Sequence, residues 1–506
     1  MADRQPWLKF FLALGLAALF VGLTAQARLC TSATNDEPWD LQLGIDLFRR
    51  HEFQGMVYSG VAPLPIWLCY ALPAHCTRRL VVPLATRAAT PNDLFLPETV
   101  TLTALARCCA TLLVGVPIIL GVFLWLARRV ELASATLGTL LVVCSPCMLA
   151  HAPLATTDGC MVLMGLLALF SVHRYRQQPC RSHLLLAGAS TGLLWASKVL
   201  GLLLLPWLIW NVYAARPRPT LRAWCTLAGS AFLICWALSG PAWYAIPVAG
   251  YSVMVPAPVR TVWGQWVNVN GGHPSFMLGR VSDTGFWDYF PVAFALKSSP
   301  AEWLLALLLA LSFCRAQPAD VRLLRGAAIS YFLLTMALHV DIGVRYILLV
   351  YPLLALAGCL LCHRHRYGRL VLCGLAALQV GTALVGWPYY LSYFGFVPGG
   401  VRHRLLVDSN LDWGQDLPAL KEQVEKHHIH HLALIFLGTA VPAAYGIHTE
   451  PPSSACDWLA ISATPLEEDR KLHAFLSMQA DATAGTSILL YRTDRPEVRT
   501  ALQTAF

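Results

Sequence analysis

Apolar runs recur along this chain from Leu8 to Leu391, and arginines gather in every second gap between them. The runs read as spans are Leu8–Gln26, Val100–Leu126, Leu132–Ala150, Leu154–Val172, Ala223–Ile246, Pro300–Phe313, Gly326–His339, Tyr346–Leu361 and Leu370–Leu391. A further run, Leu184–Val212, is broken at Ser197-Lys198 and reads as two short helices. The basic gaps hold Arg128-Arg129, then Arg174, Arg176 and Arg181, then Arg216, Arg218 and Arg222. Arg315, Arg322 and Arg325 follow, then Arg364, Arg366 and Arg369. All of them fall on one side if about eleven helices cross, as the positive-inside rule asks of a cytoplasmic face. One crossing at Leu184–Val212 would split the Arg174 and Arg216 clusters between the two sides, so two are expected. A full span takes about 20 apolar residues, so the shorter runs are expected to be tilted, re-entrant or incomplete. The N-terminus is then cytoplasmic and the C-terminus extracytoplasmic. Ala25-Gln26-Ala27 has the look of a cleavage site, but the many later spans favour an uncleaved first helix.

Composition agrees. The 506 residues are 57% hydrophobic and 13% charged, against about 45–50% and about 25% in soluble domains. The mean hydropathy is +0.55. The expected fold is an α-helical polytopic membrane protein with a small C-terminal α/β extracytoplasmic domain. The net charge of +9 is accounted for by the basic loops, not by nucleic-acid binding. The 16 cysteines are scattered, and Cys144-Ser-Pro-Cys147 and Cys359-Leu-Leu-Cys362 lie in apolar runs without His neighbours, so they read as packing residues.

The membrane domain is expected over 1–394, with large outer loops at 27–99 and 244–299. In the first loop, Trp39–Arg49 reads as a surface helix, and Pro63–Leu72 is too short to span and reads as an interfacial piece. The outer face also receives the His151–Asp158 turn, Lys198, Asp341–Arg345 and the segment 395–506. That segment has strand-like stretches at Leu432–Leu437, Trp458–Ser462 and Ser487–Tyr491 and a helix at Leu417–His427. The cluster His427-His428-Ile-His430-His431 runs from the helix end into a strand and reads as a solvated surface.

Charges at a membrane face point to chemistry, because burying them costs several kcal/mol unless they are paired. Asn35-Asp36-Glu37-Pro38 follows the first apolar run directly. Taken alone, its two acids are ordinary loop charges. Further charges share that face, however: Asp158 after Thr156-Thr157, Arg107 inside the second span, Lys198, Lys297 and Arg345. Each has a simpler role open to it. Asp158 suits a helix start, Arg107 suits snorkelling or a structural pair, and Lys198, Lys297 and Arg345 suit interfacial anchoring. Together they suit an anionic, lipid-embedded group, since Lys and Arg at that depth match a phosphate. A carboxylate can take a proton from an incoming hydroxyl while cations stabilise a departing phosphate. That combination supports sugar transfer by single displacement from a lipid-linked sugar phosphate. No cofactor is required, and paired acids leave room for a divalent metal.

The ordered set of motifs resembles the GT-C class of integral-membrane glycosyltransferases, and within it glycosyltransferase family 39, the relatives of protein O-mannosyltransferases. The resemblance rests on Asp36-Glu37, Leu154-Ala-Thr-Thr-Asp158, Gly272-His-Pro-Ser-Phe-Met-Leu-Gly279, Trp287-Asp-Tyr-Phe-Pro291 through Lys297, and Ile342-Gly-Val-Arg345 with Tyr351-Pro352. It continues through Tyr389-Tyr-Leu-Ser-Tyr-Phe394 and Val407-Asp-Ser-Asn-Leu-Asp-Trp-Gly-Gln-Asp416, and so covers nearly the whole chain. It implies a polyprenyl- or dolichyl-phosphate sugar donor and a protein, lipid or glycan acceptor. Asp36 would be the catalytic base with Glu37 beside it, and Asp158 would organise the site. Lys297 and Arg345 would hold the lipid phosphate, with Arg107, Lys198 and His273 as further candidates. One departure stands out: relatives often carry His-Pro-Pro-Leu where this chain has Val61-Ala-Pro-Leu64. The compartment implied is a bacterial inner membrane or the endoplasmic reticulum. The acid-rich Asp408–Asp416 stretch, beyond the last span, reads as a structural signature. Two other classes stay open, a lipid-linked-sugar transporter or flippase and a non-catalytic subunit of the same fold. No internal repeat of the transporter kind is present in the sequence.

Overall fold

The computed structural model describes residues 6–77, 98–248, 250–313, 317–453 and 455–506. Arg315 and the 78–97 part of the first outer loop lie outside them. Among the described residues, four helices are long and apolar enough to cross a membrane: Pro6–Leu29, Thr99–Leu126, Leu221–Ser239 and Gly368–Gly386. Leu132–Val143, Val199–Tyr213, Pro300–Leu311 and Val350–His363 are apolar but shorter. The chain is an integral membrane protein. Its apolar helices turn Leu112, Leu124, Leu233, Leu304 and Leu370 outward, an arrangement that suits lipid and not water.

Among the described residues, length and composition thus single out four spans, and the remaining apolar runs form shorter or more charged helices. The reasons are local. The Leu132–Ala150 run stops at Val143, because Pro146 disfavours helix at Ser145, and it restarts as Pro146–His151. The Ala223–Ile246 run stops at Ser239, where Gly240 takes φ +89° and Pro241 follows, and it continues as a strand. The helix Thr157–Gln177 has spanning length but carries Asp158, Arg174 and Arg176. The Leu184–Val212 run parts at Lys198, between the helix Arg181–Ser197 and a 3-10 stretch Val199–Leu204 that leads into Leu205–Tyr213.

One first-loop expectation is corrected. The helix read as Trp39–Arg49 on the surface runs Glu37–Arg50, and every residue from Glu37 to Leu47 except Trp39 is buried. The Pro63–Leu72 piece is a longer helix, Pro63–Cys76, that packs along it. Gly44 permits this approach, since a Cβ there would sit 2.5 Å from the Cβ of Tyr70.

The second outer loop contains an antiparallel hairpin of β1 (Trp243–Val248) and β2 (Tyr251–Pro256), the helix Ala257–Asn270, and a small hairpin of β3 (Ser275–Met277) and β4 (Arg280–Ser282). Near the C-terminus, β5 (Leu432–Ile435), β6 (Trp458–Ser462), β7 (Ala482–Ala484) and β8 (Ile488–Arg492) form a mixed sheet of order β5-β6-β8-β7. Strand side chains alternate between faces, so each face builds its own core. Ala460 and Leu490 join Leu417 and Leu420 of the helix Leu417–Lys426. Leu459, Ile461 and Tyr491 join Phe475, Val498 and Leu502 on the other side.

The Asp408–Asp416 stretch ties this sheet to the membrane part. Ser32 N–H donates to Gln415 O at 2.8 Å, and Asn35 N–H donates to Trp413 O at 2.9 Å. Asp416 accepts from the backbone and hydroxyls of Thr486 and Ser487 at 2.7–3.0 Å. Asp412 accepts from Thr464 N–H at 2.8 Å. These acids are taken up by framework bonds.

Candidate active site

The loop Thr31–Asp36 reaches its helix through Glu37 and Pro38, and Pro38 suits the first helical turn. Glu37 is fully buried. Its carboxylate accepts from Arg107 Nε at 2.8 Å and Nη2 at 2.6 Å, from Thr34 N–H at 2.9 Å and Oγ1 at 3.0 Å, and from Ala155 N–H at 3.2 Å. Burial pushes this carboxyl up, but the adjacent Arg107 guanidinium more than offsets that and holds it below the usual range. Arg107 also donates to Thr31 Oγ1 at 3.0 Å and Ser32 O at 2.8 Å. Glu37 and Arg107 thus form a closed bracket that fixes the start of the helix, and neither lines the adjoining cavity.

Asp36 faces the other way. It is 38% exposed, and its Oδ2 accepts from Arg345 Nη1 at 2.8 Å. The same Nη1 lies 3.7 Å from Asp158 Oδ2. Asp158 is buried in the first turn of Thr157–Gln177 and accepts from Lys198 Nζ at 2.5 Å. Lys198 sits at the break between two helices, its ammonium 4.5 Å from the centre of the Tyr346 ring. Arg345 lies 4.1 Å from the centre of the Trp413 ring. Asp36, Arg345, Asp158 and Lys198 therefore form one alternating chain of charges.

Arg345 owes its place to the Asp408–Asp416 stretch. Ser409 Oγ donates to Ile342 O at 2.5 Å, and Val344 N–H donates to Asn410 Oδ1 at 2.9 Å. A Cβ at Gly343 would collide with the Ser409 hydroxyl, so only glycine lets the two segments meet. Lys297 holds the same stretch from beneath. Its ammonium is buried, donating to Leu391 O at 2.7 Å and Asn410 O at 2.5 Å, and it does not reach the charge chain.

A cavity of about 670 Å³ opens beside these charges. Asp36, Lys198, Arg345 and His273 line it, as do the apolar Leu200, Leu203, Leu338 and Tyr346. The His273 ring is turned to its neighbour's carbonyl, Pro274 O, at 2.8 Å. Of the residues singled out in the sequence, the structure thus brings Asp36, Asp158, Lys198 and Arg345 together and His273 to the same cavity. It sets Glu37, Arg107 and Lys297 behind it. Sequence reasoning missed Asp40, Tyr346 and Trp413. For Asp40 a signal was present, since it stands four residues after Asp36 and so shares its helical face.

No family model matches the chain, and no curated protein matches it. Among solved structures it is similar to the crystal structure of ArnT from Cupriavidus metallidurans in the apo state, with a TM-score of 0.49 and 13% identity over 95% of this chain and 98% of that one. It is also similar to ArnT from Cupriavidus metallidurans bound to undecaprenyl phosphate, with a TM-score of 0.45 and 13% identity over 98% and 99% of the two chains.

Proposed function

We propose that the chain is a GT-C-type membrane glycosyltransferase that moves a sugar from a polyprenyl- or dolichyl-phosphate carrier to an acceptor hydroxyl at the extracytoplasmic face. The observation that carries this reading is one cavity in a membrane protein that combines Asp36, Arg345 and Lys198 with an apolar wall of Leu200, Leu203 and Leu338. An amphiphile with a phosphate head matches that lining. The motif resemblance of the sequence points the same way.

In this reading Asp36 takes the proton of the acceptor hydroxyl. The oxygen attacks the anomeric carbon as the carbon–phosphate oxygen bond breaks. The electron pair leaves on the phosphate, and the anomeric centre inverts. Arg345 and Lys198 neutralise the charge that builds there. Asp158 holds both cations in place. Glu37, Arg107 and Lys297 act as positioning residues behind the cavity. Lys198→Gln and Arg345→Gln are each expected to lower kcat/KM for the donor about 100-fold, read in steady-state kinetics with the donor varied.

The test is transfer of label from a panel of radiolabelled polyprenyl-phosphate hexoses by purified protein in lipid vesicles. Label in an acceptor or water-soluble product supports the reading. Intact donor crossing the vesicle without a product overturns it in favour of a flippase. Binding with neither movement nor product favours a non-catalytic subunit.

A further inference from the structure

The first-loop helix carries a second acid into the cavity. Asp40 lies one turn beyond Asp36, its N–H bonded to Asp36 O at 3.0 Å, and both residues line the cavity. The residue is 4% exposed. Among the described residues no side chain or backbone group hydrogen-bonds or ion-pairs with its carboxyl. Every other acid around it has a partner: Asp36 has Arg345, Glu37 has Arg107, and Asp158 has Lys198. A carboxylate that gives up most of its water without gaining a partner is costly, and keeping a proton relieves that cost.

We infer that Asp40 is a neutral carboxylic acid in the site, which donates a hydrogen bond to a hydroxyl of the transferred sugar and holds that sugar against Asp36. This rests on the transfer reading above. A protonated carboxyl both donates and accepts, which suits an uncharged hydroxyl, whereas the phosphate goes to the cations. Asn35, Gln265 and Asn268 line the same cavity and add neutral amides of matching chemistry. The electrostatics agree. Burial first, then the charges of Asp36, Glu37 and Asp158, push the Asp40 carboxyl well above the usual carboxylate range, with Arg345 opposing. On the packed Pro63–Cys76 helix the titratable groups within electrostatic reach are Tyr70 and Cys69, neither of which supplies a positive charge, and Arg107 of the packed Thr99–Ala110 helix is taken up by Glu37.

The test uses the full-length protein in vesicles with Asp40→Asn and Asp40→Ala. Infrared difference spectra at neutral pH read the carbonyl stretch of a protonated carboxyl in the wild type, and the Asn variant removes that band. Binding of radiolabelled polyprenyl-phosphate hexoses is measured alongside transfer. Asp40→Asn, which keeps a neutral donor, is expected to bind within about threefold of wild type, and Asp40→Ala to bind about 10-fold more weakly, the loss expected of one good hydrogen bond. The wild type is expected to lose transfer as pH rises and Asp40 ionises, and the Asn variant to lose that alkaline limb. An Asn variant as inactive as one lacking Asp36 would overturn the inference, making Asp40 the base itself. An ionised Asp40 at neutral pH, or an Ala variant with unchanged binding, would also overturn it. If the wild type binds donor and shows the protonated band but transfers nothing, the transfer reading fails while the assignment of Asp40 to sugar binding stands.

Discussion

Asp36→Asn is expected to lower the transfer rate about 1,000-fold while the protein stays folded, the size of effect that loss of a positioned general base produces. The fold tolerates the change because Asp36 is part-exposed at the cavity edge and makes no cap hydrogen bond to its own helix. Its one ion pair, with Arg345, is backed by Asp158 on the same guanidinium nitrogen. Asparagine keeps the size of the side chain and its hydrogen-bonding oxygen. What it loses is the capacity to take a proton. Donor binding should therefore change little while turnover collapses, and equilibrium binding beside single-turnover kinetics separates the two.

Arg107→Leu is expected to act in the opposite way, lowering stability by about 3–5 kcal/mol, because it leaves the fully buried Glu37 carboxylate without its counter-charge. The carbonyl of Ser32 and the hydroxyl of Thr31 lose donors in the same change. Thermal unfolding in detergent micelles reads the loss. The pH dependence has a definite sign. Glu37's carboxyl is held below its ordinary range in the folded protein, so its contribution is complete above that range and fades as pH falls through the lower folded value. In the variant that acid-side loss should disappear. Adding Glu37→Leu to Arg107→Leu removes the orphaned charge and should recover part of the stability. It should not recover all of it, because Thr34 N–H and Ala155 N–H would still lack acceptors.

The difference between these two neighbours explains what the sequence could and could not convey. Adjacent acids after a first apolar run stand out, but Asp36 and Glu37 look alike as letters. Only the long-range partners, Arg345 for one and Arg107 for the other, set their roles apart. Asp40 was hidden for a related reason. A helix with acids in its first turn and arginines in its last looks amphipathic and solvated. Its burial comes from the Pro63–Cys76 helix that Gly44 admits against it. Lys297 looked like an interfacial cation because its acceptors, Leu391 O and Asn410 O, stand roughly a hundred residues later. In the acid-rich Asp408–Asp416 stretch, expected as a structural signature, Asp412 and Asp416 accept framework bonds, while Trp413 packs against Arg345. Helix ends were harder to read, because Pro146 and Pro241 interrupt apolar runs that hydropathy alone treats as continuous.

The most direct measurement pairs binding and chemistry in one sample. Wild type and Asp36→Asn are each reconstituted with the radiolabelled polyprenyl-phosphate hexose that the panel selects. Bound donor and released sugar are then counted together. The account predicts equal donor binding by the two proteins and product from the wild type alone. Equal binding with equal product from both proteins would contradict it, because the proton would then be going somewhere other than Asp36.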